Sequence, residues 1–300
     1  MKKLLLQIFA ITALFFATWF LLGRVDWVSL FKVEQAKSAT ETKLGDLFWD
    51  LFNQGKEIRD KEITAPLDSL LSKICSANGT VQTQIKLHVV RSEEVNAFAL
   101  PDKHLVIFSG LIAAAENEGE LCGVISHELA HIEKNHVMKK LVKEIGLSTL
   151  ISMTTGAGGE IAKEAVRVLS SSAYDRNLEK EADIKAVDYL IKAGINPEPF
   201  ANFLYKIGDE KQSELSRHLS WINTHPDPKV RAEYIIEYAD GKPQKDQPVL
   251  SQETWEKLKK IEETDWTGNG ISRFLWFSVP ANCQSENIRV MWMMNSFQAK

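Results

Sequence analysis

Apolar positions recur at helical spacing through most of the chain and alternate only in one short region. Residues 41–77 carry Leu44, Leu47, Phe48, Leu51 and Phe52 at intervals of one, three and four, the mark of a helix with one buried face. Ala77-Asn78-Gly79-Thr80 is a turn signal. Residues 82–90 alternate and are rich in β-formers, so they read as a strand. Residues 94–100 are a second extended stretch, broken by Pro101-Asp102, and 104–109 a third, ended by Gly110. Residues 111–145 form the longest helical region, read as two helices parted near Asn117-Glu118-Gly119. Residues 154–159 are a Gly-rich link. Helical pattern returns over 160–171, 178–193, 199–218 and 228–240, with Gly194 and Pro197 ending the second of these. A helix over 254–263 and β-prone stretches over 273–279 and 287–293 close the sequence, and no internal repeat is visible. The pattern predicts an α+β fold, mostly helical, with a small β-sheet ahead of the long helix.

The first 25 residues stand apart. Lys2 and Lys3 precede 19 uncharged residues, Leu4 to Leu22, close to the roughly 20 needed to cross a bilayer as a helix. Trp19 and Trp27 lie where an interfacial aromatic belt would, and the two lysines favour a cytoplasmic N-terminus. Both a retained signal-anchor and a cleaved signal peptide fit this stretch; the poor small-x-small sites favour the anchor. The expected localisation is therefore membrane-anchored with the bulk of the chain on the non-cytoplasmic, periplasmic side, or secreted into that compartment if cleavage occurs. Residues 26–40 read as a polar tether, 41–240 as the main domain, and 241–300 as a C-terminal extension without an assigned role.

Composition narrows the function classes. A net charge of −4 without long single-sign blocks gives no basic stripe for nucleic acid. Three cysteines exclude a disulfide scaffold, and no Cys-x-x-Cys supplies a thiolate metal site. Cys122 reads as a buried thiol, while Cys75 and Cys283 can pair only in an oxidising compartment.

The chemistry concentrates at His127-Glu128-Leu129-Ala130-His131. Four residues along a helix advance about 400° and 6 Å, so His127 and His131 face the same way from successive turns. Their imidazoles can share one zinc, and Glu128, turned by about 100°, stands beside the metal to act as general base. Apolar neighbours Leu121, Val124, Ile125 and Ile132 put this motif on a helix with a buried face. A catalytic zinc takes three protein ligands and keeps one position for water. A third His ten residues after His127 is ruled out by Val137, so a carboxylate on a second helix is the alternative. Glu179 and Asp183 are four apart and share a face: Glu179 can reach the metal while Asp183 accepts from the far nitrogen of a ligand His. Glu181 is rotated about 200° from Glu179 and reads as a solvated position. His88, His104, His136 and His218 read as structural.

Several segments resemble the M48 family of zinc peptidases, the gluzincins. Asn96-Ala97-Phe98-Ala99-Leu100-Pro101 with Ile107-Phe108-Ser109-Gly110-Leu111 is similar to the strand pair above the family's active-site helix. Ser126 to His131 is its metal motif. Tyr174-Asp175-Arg176, the Glu179 to Asp183 stretch, Ala193-Gly194-Ile195-Asn196-Pro197, and Thr224-His225-Pro226 with Arg231 resemble further motifs in order, with Asp175 in place of Ser. The resemblance implies a zinc metalloendopeptidase that takes polypeptide substrates and holds one Zn2+ per chain on His127, His131 and Glu179. It implies that His225 and Arg176 line the cleft, His225 either assisting catalysis or sitting on the metal at rest, and that Asn96, Ala97 and Phe98 bind an extended substrate by strand addition. Unlike multi-span or repeat-bearing members, this chain has one hydrophobic segment and no repeat after residue 240. Action on envelope proteins, a latent protease and a non-catalytic zinc-bound chaperone module are the functional readings that remain.

Overall fold

A computed structural model describes residue 12 and residues 33–53, 56–155, 159–208, 220–243 and 247–260. Apart from residue 12, the predicted N-terminal anchor lies outside the described residues, as do His218, Cys283 and the β-prone stretches after residue 270. The elements in chain order are α1 (Val33–Asn53), α2 (Lys61–Asn78), β1 (Lys86–Val90), β2 (Ala97–Leu100), β3 (His104–Phe108), α3 (Ser109–Ala114), α4 (Glu118–Glu133), α5 (His136–Ile145), α6 (Leu147–Met153), α7 (Gly159–Ser171), α8 (Arg176–Ala193), α9 (Glu198–Ile207), α10 (Trp221–Thr224), α11 (Pro228–Ala239) and α12 (Gln252–Lys259). The α+β expectation holds: among the described residues helices dominate, and one three-stranded sheet precedes the long helix.

The sheet order is β1-β3-β2, with β1 parallel and β2 antiparallel to β3. All five residues of β3 are buried, and the period-two alternation of a strand splits them between two cores. Leu105 and Ile107 join α2, α4, α8 and α9 in the larger core; Val106 and Phe108 join α1, α5, α6 and α7 in the smaller one. The sheet is thus a wall between two helical layers.

Local chemistry sets the helix ends. Asp60, Asn117 and Asp175 accept from the backbone N–H of Glu62, Glu120 and Asn177, capping α2, α4 and α8. Gly79 and Gly194, both left-handed, close α2 and α8. Three boundaries differ from the sequence pattern. α1 begins at Val33, inside the stretch read as a tether. The helical stretch 41–77 is interrupted, because residues around Glu57 leave α1 to bridge Val90 at the end of β1. The region 111–145 breaks twice, at Asn117 and again at Asn135, whose φ of 56° ends α4 and turns the chain into α5.

Helix α4 runs through the centre, buried continuously from Gly119 to His131. It packs most closely on α8 and α9. Gly123 makes the α9 approach possible: a Cβ there would meet Phe200 Cβ at 2.3 Å. The start of α4 is tied to residues after 240, since Glu118 accepts from Val249 N at 2.6 Å and Leu250 N at 2.9 Å. Trp255 and Leu258 of α12 are buried in the larger core, so that core continues past residue 240.

Another polar cluster links α1 to β1 and β3. Lys86 Nζ donates to Asp102 at 2.8 Å, to Asp46 at 3.1 Å and to His104 Nε2 at 3.1 Å. His104 Nδ1 then donates to His88 Nε2 at 3.0 Å, and His88 Nδ1 to Glu57 Oε1 at 2.8 Å. Burial holds His104 down at about 4, so both rings are neutral links in a hydrogen-bonded chain. Asp46, Asp102 and His104 could otherwise suit a cation, but the Lys86 ammonium is already among them.

Candidate metal centre

His127 and His131 project from adjacent turns of α4, with ring centroids 4.6 Å apart. Their Nε2 atoms approach to 3.0 Å. Helix α8 brings Glu179 to the same point, its Oε1 3.3 Å from His131 Nε2 and its Oε2 3.7 Å from His127 Nε2. His225, the residue that ends α10, adds its Nδ1 at 2.9 Å from Glu179 Oε1 and 3.2 Å from His127 Nε2. All four donor atoms lie within 4.8 Å of one another, and all four side chains are buried.

Such a cluster is unfavourable by itself. Imidazole lone pairs and a carboxylate turned toward one another repel, and a buried polar atom without a partner costs about 1–3 kcal/mol. Four unpartnered atoms gather at this point: Glu128 Oε2, Glu179 Oε2, His225 Nε2 and Arg231 Nη1. Arg231 Nη1 does lie 2.8 Å from Glu179 Oε2, but as an ion pair without hydrogen-bond alignment. A divalent cation would resolve the conflict. Donors about 2.0–2.1 Å from a tetrahedral zinc stand roughly 3.3 Å apart, the spacing found here, and nitrogen with one carboxylate suits zinc.

The groups behind these donors set their protonation. His127 Nδ1 lies 2.9 Å from Asp183 Oδ1, so the ring donates there and turns an unprotonated Nε2 inward. Asp183 also accepts from Arg231 Nε at 2.8 Å and Nη2 at 2.7 Å, and from the Tyr234 hydroxyl. Burial alone would raise Asp183, but Arg231 and His127 hold it at about 2. Burial likewise opposes ionisation of Glu179, and the hydrogen bond from His225 together with the Arg231 guanidinium overcomes it, keeping that carboxyl well below its usual range. For His131 and His225 burial dominates and favours neutral rings.

Glu128 follows His127 on α4 and is fully buried beside the cluster. Its Oε1 accepts from the Trp221 indole N–H at 3.2 Å and lies 3.4 Å from His225 Nε2. Trp221 also stacks on His225, centroids 4.5 Å apart, while Tyr174 covers His131 at 4.2 Å. A hydrogen bond from Tyr174 N to Thr224 O, 2.9 Å, joins the segment before α8 to α10.

The structure therefore brings His127, Glu128, His131, Glu179, Asp183 and His225 together. It does not bring Arg176 there: that side chain is 83% exposed and pairs with Asp227 at 2.9 Å, because it starts α8 on the solvent side. Asn96 and Ala97 are buried at the start of β2, next to Val95, whose carbonyl accepts from Trp221 N at 3.3 Å. Phe98 points away, into the smaller core, against Phe52 and Phe108. Sequence reasoning gave no role to Trp221, Tyr234 or Arg231, and read His136 and Glu181 as bystanders. Arg231 carried the one available signal, its place after Thr224-His225-Pro226. Among the described residues no helix is long and apolar enough to cross a membrane.

Comparison with known proteins agrees with this geometry. The sequence profile described as Peptidase family M48 matches residues 61–239. The Mitochondrial metalloendopeptidase OMA1 of Schizosaccharomyces pombe is 24% identical over 207 residues, covering 68% of this chain and 61% of that protein. The Beta-barrel assembly-enhancing protease of Escherichia coli is 26% identical over 206 residues, 64% of this chain and 42% of that protein. Metalloprotease LoiP of the same organism is 29% identical over 202 residues, 62% and 78% respectively. The chain thus spans about three-fifths of the first of these relatives and two-fifths of the second. With the profile covering more than half of its length, this chain belongs to peptidase family M48.

Proposed function

We propose that this chain is a zinc-dependent metalloendopeptidase in which His127, His131 and Glu179 hold the ion and Glu128 is the general base. The observation that carries this reading is the convergence of four buried donor atoms beside an unpartnered oxygen of Glu128. Zinc, when bound, would acidify water and polarise a peptide carbonyl. Glu128 would take a proton from the attacking water and hand it to the leaving amine. Trp221, by donating to Oε1, leaves Oε2 for that proton. Asp183 and Arg231 hold His127 and Glu179 in place, as second-layer carboxylates and their partners do for metal ligands generally.

Substrate would enter as an added strand. Asn96 O accepts from Phe108 N, so by antiparallel alternation Ala97 and Ala99 turn their N–H and C=O away from β3. Asn96 Oδ1, buried without a partner, is available to a peptide N–H beside this edge. Membrane or envelope polypeptides are the substrate class that fits best. The support is the 19-residue uncharged segment and the names of relatives such as the Beta-barrel assembly-enhancing protease. That segment would tether the catalytic domain on the periplasmic side.

A second feature favours a closed resting form. His127, Glu128, His131 and His225 all have 0% exposure, and His225 Nδ1, close to Glu179 and His127, would compete with water for the ion when zinc is bound. Cleavage of unfolded casein by the 300-residue chain in detergent tests both statements. Chelation is expected to abolish cleavage and zinc to restore it, and His225→Ala is expected to raise zinc-supported turnover severalfold. Cleavage that survives chelation would refute the metal role, and a His225→Ala chain that is slower than wild type would refute the closed form.

A further inference from the structure

The two histidines of the motif are held by unlike supports. Behind His127 stands Asp183, fully buried and locked by Arg231 and Tyr234. Behind His131 stands another imidazole: His136 Nδ1 lies 3.1 Å from His131 Nδ1. His136, at the start of α5, is fully buried, yet its Nε2 reaches Glu181 Oε2 at 3.3 Å. Glu181 is 42% exposed and pairs with Lys134 at 2.8 Å. It lines a surface groove of about 330 Å³ together with Lys134, Lys180 and Lys185.

The directions of these bonds are fixed by chemistry. A carboxylate only accepts, so His136 Nε2 carries its proton toward Glu181 and His136 Nδ1 is left as an acceptor. His131 Nδ1 must then donate, which leaves His131 Nε2 unprotonated and aimed at Glu179 and His127. A Glu181 two positions from Glu179 faces away from the metal point but meets α5, and the left-handed turn at Asn135 is what swings His136 back under His131.

We propose that His136 and Glu181 are positioning residues that select the metal-binding tautomer of His131, and that this half-exposed arm, rather than the buried Asp183 arm, limits zinc retention. The proposal rests on the zinc-peptidase reading and adds a role for two residues outside the set of ligands. The arm on the His127 side is closed to water, whereas the His131 side ends in a carboxylate that solvent and Lys134 share.

Apparent zinc dissociation constants of the 300-residue chain and its variants, measured by competition with a chromophoric chelator, test it. His136→Leu, which keeps bulk and removes the acceptor, is expected to weaken zinc binding about 10–100-fold, the usual consequence of losing such a support. His136→Asn, whose Oδ1 can stand near the position of Nδ1, is expected to restore most of that loss. Glu181→Ala is expected to weaken binding severalfold in the wild-type background and not at all in the His136→Leu background, because both act through one bond to His131. The thermal unfolding of each zinc-free variant is followed alongside. The proposal is overturned if Glu181→Ala leaves zinc affinity unchanged. It is also overturned if His136→Leu lowers only the zinc-free unfolding temperature while affinity stays at the wild-type value. A wild-type chain that takes up no zinc overturns the reading of the site itself, which separates the two failures.

Discussion

Glu128→Gln is expected to remove at least about 100-fold of the peptide cleavage, the contribution of a positioned general base, while the zinc content stays at the wild-type level. The amide keeps the volume of the carboxylate, and its oxygen still accepts from Trp221, so the closed packing around α10 is preserved. What it loses is a basic atom at the position of Oε2, the oxygen that has no partner in the folded chain. Turnover of a quenched-fluorescence peptide, with zinc measured on the same preparation, checks both halves. A Glu128→Gln chain within threefold of wild-type activity would place the base elsewhere, and His225, with its Nε2 3.4 Å from Glu128, would be the next residue to examine.

The second large effect concerns stability. Arg231 is buried to 2% exposure and faces two carboxylates, Asp183 and Glu179, at 2.7–2.8 Å. Arg231→Met keeps the aliphatic bulk and strands both carboxylates in a site that water cannot reach. Breaking a buried pair in this way costs about 3–5 kcal/mol. Chemical denaturation of the zinc-free protein should show that loss, and zinc should recover part of it by engaging Glu179. Arg231→Lys should fall between, since an ammonium cannot form the two-pronged bond to Asp183. A loss under about 1 kcal/mol for Arg231→Met would mean that the carboxylates become neutral at little cost and that Arg231 is not what keeps them charged.

Much of this arrangement was legible in the residues because helices are periodic. The four-residue interval of His127 and His131, and of Glu179 and Asp183, is a statement about two helix faces, and the structure places α4 against α8 with those faces meeting. The sheet was equally legible, its three short strands bounded by Gly110 and by the Pro101-Asp102 turn. What escaped was whatever depends on a single backbone torsion or on distant chain. The left-handed Asn135 has no periodic signature, yet it decides that His136 returns beneath His131. Glu181 is rotated away from Glu179 on its helix, as its sequence position requires, and is engaged nonetheless because α5 comes to it. Arg176 and Arg231 illustrate the same limit from both sides. Both sit near motif residues, but only the structure shows that one lies on the solvent side of the α8 start and the other in the interior face of α11. The link between Glu118 and the backbone of Val249 and Leu250 spans 131 and 132 residues and has no local trace at all.

X-ray absorption at the zinc edge, on the purified 300-residue chain, tests the central claim without reference to activity. One zinc per chain is expected, with a shell of nitrogen and oxygen at about 2.0–2.1 Å and outer-shell scattering from two or more imidazoles. Absence of zinc, or a sulfur shell at about 2.3 Å drawing on Cys75 or Cys122, would contradict it.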